Sequence, residues 1–219
     1  MRISECSYRE MYHKVMAIRF PTNSNYLKSL LSLESDNGAS ESTNGAIVYG
    51  YIDHECGLSF YLLAFAVINN DGRVIMQQHD STVSTRIRYG AVQDCIVIFD
   101  IDEKYNMFFS KEIASVNNAY TDSEIIEAFR TNEIFKIFDE FRSPEYPDDV
   151  IVLFYDENDG KFEGCWVRLE AIDNKGWTYG VLLDTPWKDY GVKSGDYIRF
   201  KVTYIDESTV KLLYTDNLE

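Results

Sequence analysis

The densest group of side chains that could perform chemistry is Asp53-His54-Glu55-Cys56. Zinc favours Cys and His ligands in tetrahedral sites, and His79-Asp80 could complete such a site if the neighbouring strands pair. However, only one cysteine and two histidines are at hand there, and adjacent residues on a strand point to opposite faces. A polar strand end that turns into a loop accounts for the same residues, so we predict no metal and no cofactor.

A second candidate site is Asp156-Glu157-Asn158-Asp159-Gly160, which resembles the start of a calcium-binding loop. The pattern fails where it is strictest, because Lys161 stands where Gly is required and Val167 where Glu is required. We therefore predict a hairpin turn at this position.

Catalytic carboxylates are the third possibility. Asp100 and Asp102 stand on one side of a strand end, and paired carboxylates can perform acid–base chemistry when burial separates their pKa values. A strand end followed by Glu103-Lys104 favours solvated carboxylates instead. The chain also lacks Gly-x-Ser-x-Gly, P-loop and Gly-x-Gly-x-x-Gly motifs. We predict that the protein is not an enzyme, with an unfamiliar enzyme built on Asp100, Asp102, His54 or His79 as a remaining alternative.

The charge of the chain restricts its partners. The net charge is −15, and acidic residues crowd the segment from Phe138 to Glu163. Nucleic acid and anionic lipid are poor partners, because proteins bind both through Lys and Arg. A basic protein is the natural complement, although acidity that serves only solubility is an alternative. We predict a partner-binding surface made of acidic residues of this segment and of aromatic residues in later turns: Asp148, Asp149, Asp156, Glu157, Asp159, Trp177, Trp187 and Tyr190.

Composition indicates a globular protein. With 219 residues, of which 45% are apolar, the chain suits one large domain or two small ones. No apolar stretch follows Met1-Arg2, as a secretory signal requires, and the longest apolar run, from Leu58 to Ile68, is shorter than the roughly 20 residues that span a bilayer. Four separated cysteines favour buried free thiols. We expect a cytoplasmic protein without a membrane partner.

The first two thirds of the chain predict an α+β domain with a mostly antiparallel sheet. Residues 32–45 are rich in Ser, Asn and Gly, which indicates a mobile loop. The apolar runs at 74–76 and 96–99 are too continuous for one buried face, so we expect the sheet to be covered on both sides. A short helix is predicted from Asn25 to Leu33, and strands at 15–20, 46–52, 58–68, 73–78, 95–101 and 106–113.

One main helical region is predicted before a domain boundary. Thr121-Asp122-Ser123-Glu124 fits a capping box, and a break is expected near Thr131-Asn132. We expect this helical region to cover the sheet. Pro144 and Pro147 end it, which places a 1–146 α+β domain before a 147–219 all-β module; whether the two pack as one unit stays open. The apolar residues at helical spacing are Ile125, Phe129, Ile134, Phe138 and Phe141.

The last third, from Val150, predicts a small antiparallel module that resembles a β-barrel. Its strands are short and apolar, and tight turns join them. The turns ending in Gly160 and Gly176, like the earlier one ending in Gly72, carry Asn at the second position and Gly at the fourth. This pattern is typical of a type I turn that closes through a left-handed glycine.

Within the module, the sequence resembles a known family. It reads Trp166-Val167-x-Leu169, then Tyr179-Gly180-Val181-Leu182, Pro186, and Gly191-Val192-Lys193-x-Gly195-Asp196 before Ile198-x-Phe200. This order resembles the bacterial YegJ-like domain of unknown function, over roughly residues 150–210. Where that family carries an aromatic residue after the last strand, this chain has Ile205-Asp206-Glu207-Ser208. The resemblance implies a small β-rich accessory module without an established activity.

These observations favour a non-enzymatic binding protein. Its most concrete form is an immunity protein that neutralises a basic bacterial toxin of the nuclease type, because toxins that act on nucleic acid must be basic and their inhibitor is usefully acidic. In this interpretation Trp187, between Pro186 and Lys188, is the best candidate for an exposed anchor. The alternative is a small-molecule or peptide-binding module whose barrel mouth holds the ligand near Trp177 and Trp187.

Overall fold

The computed structural model describes residues 1–32, 42–77, 85–156, 160–205 and 209–215. The chain divides into two compact units, Met1–Thr121 (unit 1) and Asp122–Glu219 (unit 2). Both consist of mostly antiparallel strands with helices packed on them, so the predicted α+β class is confirmed. The predicted boundary between residues 146 and 147 lies too late in the chain. The helical region before it belongs to unit 2, because its apolar side chains pack into the core of the second sheet.

Unit 1 is built on a six-stranded sheet. The strand order is β4-β3-β2-β1-β6, and β5 pairs with β3 beside β4. All of these pairings are antiparallel. The sequence located every strand except the short β5. The strands are β1 (Val15–Arg19), β2 (Gly45–Asp53), β3 (Gly57–Ile68), β4 (Val74–Met76), β5 (Arg86–Arg88) and β6 (Ile96–Ile98).

Helices of unit 1 cover both faces of this sheet, as the continuous apolar runs require. Side chains of the N-terminal helices pack on one face, and those of α4 and α5 pack on the other. The helix predicted from Asn25 is confirmed. The helices are a 3-10 turn (Ile3–Glu5), α1 (Tyr8–Met11), α2 (Asn25–Leu31), α3 (Tyr89–Val92), α4 (Lys104–Phe108) and α5 (Ser110–Ala119).

The strand predicted at 106–113 is wrong, since this segment forms the end of α4 and the start of α5. Tyr105, Phe109, Ile113 and Val116 pack together against the sheet. Their spacing of three to four residues is that of one helical face. The run Met107-Phe108-Phe109 hides this spacing, because two of its three apolar residues point to solvent.

Most of the loop predicted at 32–45 lies outside the described residues. The end of this loop is described, and hydrogen bonds attach it to β3. The Asn44 side chain accepts a hydrogen bond from the Ile68 backbone N–H at 2.7 Å and donates one to the Ile68 carbonyl at 3.0 Å. The sheet then begins at Gly45.

Unit 2 contains five strands that pair in cyclic order. Each strand is antiparallel to the next, and β11 returns to β7 through a parallel pairing of Leu213 with Leu153. This pairing corrects the prediction of a wholly antiparallel module: five strands joined in sequence bring the last one back parallel to the first. The strands are β7 (Asp149–Asp156), β8 (Lys161–Ile172), β9 (Thr178–Leu182), β10 (Tyr197–Tyr204) and β11 (Val210–Tyr214).

The helical region consists of α6 (Glu124–Thr131) and a 3-10 helix (Glu133–Phe141), with the predicted break between them. The predicted capping box is wrong. The Ser123 hydroxyl caps α6 by accepting from the Ile126 N–H at 3.4 Å, whereas the Thr121 hydroxyl donates to the Asn117 carbonyl of α5. A serine one residue before the first glutamate can reach the helix N–H groups, and the earlier threonine cannot.

Two of the predicted left-handed glycines illustrate the turn chemistry. Gly72 has φ 84° and Gly176 has φ 80°, and each donates its N–H to the carbonyl three residues earlier. This conformation favours glycine, so the turn prediction is confirmed at these two positions. Residues 157–159 of the third predicted turn lie outside the described residues. Among the described residues, no helix is both long and apolar enough to cross a membrane.

Candidate functional site

Asp148 and Asp149 do not lie on a partner surface. They are 3% and 5% exposed, respectively. Asp148 accepts two hydrogen bonds from the Arg130 guanidinium, and Asp149 accepts two from that of Arg168, at 2.9 and 3.3 Å. Buried carboxylates are stable only when they are paired in this way. The prediction that these residues bind a partner is therefore wrong.

Arg130 is the centre of the buried ion-pair network. Its side chain is fully buried and contacts three carboxylates: Asp122 at 2.7 Å, Glu127 at 2.8 Å, and Asp148. Asp122 precedes α6, Glu127 lies one turn before Arg130, and Asp148 precedes β7. The guanidinium therefore joins the helix to the start of the sheet.

Arg142 fixes the chain between the helical region and β7. This buried guanidinium donates to the Phe129 carbonyl at 2.7 Å, to the Pro147 carbonyl, and to the Asp139 carboxylate at 3.1 Å. Both carbonyls lie where no helix or strand partner is provided, so the arginine satisfies backbone groups that would otherwise be buried without a bond. The acidic segment is thus matched by internal arginines.

The Arg168–Asp149 pair has the electrostatic signature of an internal contact. Burial alone would lower the pKa of the Arg168 guanidinium. Hydrogen bonding to Asp149 and the charges of Asp149 and Asp148 outweigh this effect and raise the pKa above its usual value. The Arg168 guanidinium is therefore held in its charged form by the carboxylates around it.

A different arrangement surrounds Trp187, in the segment between β9 and β10. The Trp187 side chain is 97% exposed. Its backbone N–H donates to the Glu163 carboxylate of β8, which also accepts from the Lys188 N–H at 3.3 Å. The Lys188 ammonium in turn pairs with Asp156 at the end of β7. The backbone is held while the indole is directed to solvent.

The other predicted surface residues are divided. Tyr190 packs into the core of unit 2, with its ring 5.2 Å from that of Phe154. Trp177 is half-buried, and the cationic groups of Arg199 and Lys201 lie 4.7 and 5.0 Å from its ring. Asp156 pairs with Lys188 as described above. Glu157 and Asp159 lie outside the described residues.

Trp177 and Trp187 are too far apart to share a small ligand. Trp177 precedes Thr178, which pairs with Ile172 at one end of β8, whereas Trp187 is bonded to Glu163 near the other end. Nine residues of strand correspond to about 30 Å. The ligand site expected between them at a barrel mouth has no geometric basis.

The interior enclosed by the five strands is filled with apolar side chains. Ten of them are at most 3% exposed, which makes the interior a packed core and not a cavity. They alternate with outward-facing residues along each strand, and they are Val150, Val152, Phe154, Cys165, Val167, Leu169, Leu182, Ile198, Phe200 and Leu212.

The outer face of β7 and β8 carries an aromatic pair that sequence reasoning missed. Tyr155 and Phe162 are directly paired across the strands, with ring centroids 5.0 Å apart, and are 50% and 43% exposed. The Lys211 ammonium lies 4.2 Å from the Phe162 ring. The signal was present in the alternation Phe154-Tyr155, in which the first residue is buried and the second therefore faces outward.

The candidates for metal binding and catalysis remain separate. Asp53 accepts hydrogen bonds from the N–H groups of Glu55 and Cys56 in the turn after β2, which is the polar strand end expected there. Asp102 pairs with Lys104 at 2.7 Å, and this hydrogen bond lowers the pKa of the carboxyl. His79 lies outside the described residues. Within the described ranges, no three His, Cys, Asp or Glu side chains are grouped to hold a metal ion.

Comparison with known proteins gives no relative for this chain: no family model, no curated protein and no solved structure matches it.

Proposed function

We propose that the protein is a non-enzymatic binding protein that captures a basic protein partner through the surface around Trp187. Its most concrete form is an immunity protein that inhibits a basic bacterial nuclease toxin. The observation that carries the proposal is the exposure of Trp187 on a backbone that two hydrogen bonds to Glu163 hold in place. A large exposed aromatic residue on a fixed backbone is typical of a binding anchor, because little conformational entropy is lost when it docks.

Charge near Trp187 supports a basic partner. Asp184 and Asp189 flank the tryptophan in the same segment and are exposed. Each accepts a backbone hydrogen bond, from Trp166 and Gly191 respectively, and this contact fixes the carboxylate without neutralising it. Fixed charges beside an aromatic anchor accelerate the encounter with an oppositely charged protein. The partner surface of this proposal therefore differs from the predicted one, with Asp184 and Asp189 replacing Asp148 and Asp149.

The proposal also covers the family of unit 2, its architecture and the compartment of the protein. Residues 150–210 are proposed to be a YegJ-like accessory module, and the closed cyclic pairing of β7 to β11 is proposed to make this module a small barrel. Action against a nuclease before it reaches the host's nucleic acid also requires the protein to be cytoplasmic.

The test compares the wild-type protein with Trp187→Ala as bait in host lysate. Ile134→Ala is the matched control, since Ile134 is also an exposed apolar residue of unit 2. We expect wild type and the control to retain the same basic protein, and Trp187→Ala to lose it. The purified partner should then show nuclease activity that wild type inhibits. Equal retention by Trp187→Ala, or no inhibition of the purified partner, would contradict the proposal.

A second candidate function, small-molecule binding, is favoured by a cavity of about 630 Å³ in unit 1. Met76, Met107 and Phe108 are among the apolar residues that line it, and its volume lies within the range of ligand sites. A thermal-shift screen of small apolar metabolites tests this function. A stabilising compound whose effect disappears in Phe108→Lys would support it, and a screen without any stabiliser would remove it.

A further inference from the structure

A second polar cluster lies in unit 1, on the face of the sheet that α4 and α5 cover. Strand pairing creates it, because residues directly opposite each other on neighbouring strands share one face. The pairing produces two adjacent rows across β2, β3 and β5: Tyr51, Ser59 and Arg88 in one, and Tyr49, Tyr61 and Arg86 in the next.

Helix α5 completes the cluster by placing Tyr120 directly after its last turn. The Tyr120 ring lies 4.4 Å from that of Tyr51, and the Arg86 guanidinium lies 5.5 Å from the Tyr120 ring. Arg86, Arg88, Tyr51 and Tyr120 are therefore gathered at one place. Such a concentration of positive charge and hydrogen-bond donors is unexpected in a chain with a net charge of −15.

The donors of this cluster exceed its acceptors. Arg88 donates to the Ser59 hydroxyl at 2.7 Å and reaches Asp53 at 3.4 Å. The Arg86 side chain is exposed and makes no hydrogen bond or ion pair within the described part of the chain. Its five N–H groups form a planar fork that matches an oxyanion.

The Tyr51 hydroxyl is the least satisfied group of the cluster. Tyr51 is 1% exposed, and its hydroxyl contacts the Tyr120 side chain without reaching full hydrogen-bond geometry with any residue that the structure describes. Burial raises the pKa of this hydroxyl most, and the charge of Tyr120 and the hydrogen-bonding contact with it raise the pKa further, while Arg88 and Arg86 act in the opposite direction. A buried hydroxyl without a well-aligned acceptor is costly and calls for an explanation.

We propose that this cluster binds a small oxyanion, carried by a phosphate or a carboxylate group. A shift of the Tyr120 ring, which lies against Tyr51, and of the Arg86 side chain above it admits the anion. The anion then accepts hydrogen bonds from Arg86 and Arg88 and gives the Tyr51 hydroxyl a better-aligned acceptor than Tyr120. Asp53 remains paired with Arg88 at the rim. This site is independent of the surface around Trp187.

The test is calorimetric titration of the full-length protein with inorganic phosphate at constant ionic strength. We expect saturable binding that Arg86→Gln weakens by about tenfold, as the loss of a charge-assisted hydrogen bond implies. Tyr51→Phe should weaken phosphate binding without lowering stability, because it removes a hydroxyl that makes no well-aligned hydrogen bond and retains the ring. Arg73→Gln is the matched control, since Arg73 is an exposed arginine elsewhere in unit 1, and it should bind as wild type does.

Competition distinguishes the two sources of the oxyanion. Displacement of phosphate by citrate would assign the site to carboxylate ligands, and resistance to citrate would assign it to phosphate. Absence of saturable binding to wild type, or equal binding by wild type, Arg86→Gln and Tyr51→Phe, would overturn the proposal.

Discussion

The start of β7 and the segment between β9 and β10 both carry residues that the sequence predicts to bind a partner. The two regions differ in how far these residues are exposed to solvent. Asp148 and Asp149 at the first place are buried and bonded to arginines. Trp187 at the second place is almost fully exposed, although tryptophan is the more apolar residue. Residue type alone therefore does not assign a surface. The decisive factor is whether the fold supplies a partner for the charge and a neighbour for the ring.

The largest expected effect tests the buried side of this comparison. Replacing Asp148 with alanine leaves the Arg130 guanidinium buried with part of its compensation removed. We expect the free energy of unfolding to fall by about 3–5 kcal/mol, measured by urea denaturation. Glu133→Gln is the matched control: it breaks the exposed pair with Lys136 and should cost about 0.5 kcal/mol or less. Equal stability of the two variants would place Asp148 on the surface.

The next effect tests the exposed side. Trp187→Ala should leave the free energy of unfolding within about 0.5 kcal/mol of wild type, because the ring touches little of its own fold. The same substitution should weaken binding to the captured partner by about 2 kcal/mol or more. Titration calorimetry with the purified partner measures this loss. A large loss of stability with unchanged affinity would reverse the roles assigned to the two regions.

A smaller effect is expected at Asp149. Its partner Arg168 retains access to water, with 18% of its side chain exposed, so part of the lost interaction can be replaced by hydration. We expect Asp149→Asn to lower the free energy of unfolding by about 1–3 kcal/mol, less than Asp148→Ala. Urea denaturation at fixed ionic strength ranks the two variants, and a larger effect at Asp149 would contradict the burial argument.

The smallest effect concerns the reactivity of the core thiol on β8. Burial, followed by the charges of Glu163 and Asp184, raises the pKa of Cys165 to about 11. Thiolate is the reactive form, so native Cys165 should be modified much more slowly than the exposed Cys56 at neutral pH. Trp187→Ala should not change this rate, whereas Asp148→Ala should accelerate it through local opening. Mass spectrometry of alkylated protein follows both cysteines, and rapid modification of native Cys165 would show that the core is not closed.

The raised pKa of Cys165 also makes the stability of the fold depend on pH. The unfolded thiol releases its proton at lower pH than the folded one, because its pKa is raised only in the fold. This group therefore stabilises the fold fully below the unfolded pKa, and its contribution declines as the pH rises towards about 11.

Strand positions were predictable where apolar runs were long. The runs that became β2 and β3 gave nearly correct bounds, since each is buried on both faces. Segment 106–113 failed because two exposed apolar residues, Met107 and Phe108, mask the helical spacing of Tyr105 and Phe109. The local pattern was misleading because exposure is decided by tertiary packing.

Exposure of the candidate site residues was predictable only for residues that make no side-chain contact with a residue distant in sequence. Trp187 lies in a turn-rich segment between Pro186 and Lys188, and its exposure follows from this local context. Asp148 is bonded to Arg130, which lies 18 residues earlier in the sequence. No local sequence pattern predicts that contact. The sequence shows that arginines of the helical region precede these carboxylates. Which arginine contacts which carboxylate depends on how the chain turns at Pro144 and Pro147, and this turn is not predictable from the local sequence.

The most direct measurement is a double-mutant cycle between Arg130 and Asp148, followed by urea denaturation. Arg130→Met and Asp148→Leu each leave the other partner's charge without its main counterpart. We expect each to lower the free energy of unfolding by about 3–5 kcal/mol. The double variant should lose less than the sum of the two, because both charges of the pair are removed together. Additive losses would mean that Asp148 does not depend on Arg130, and the acidic segment would then be available to a partner after all.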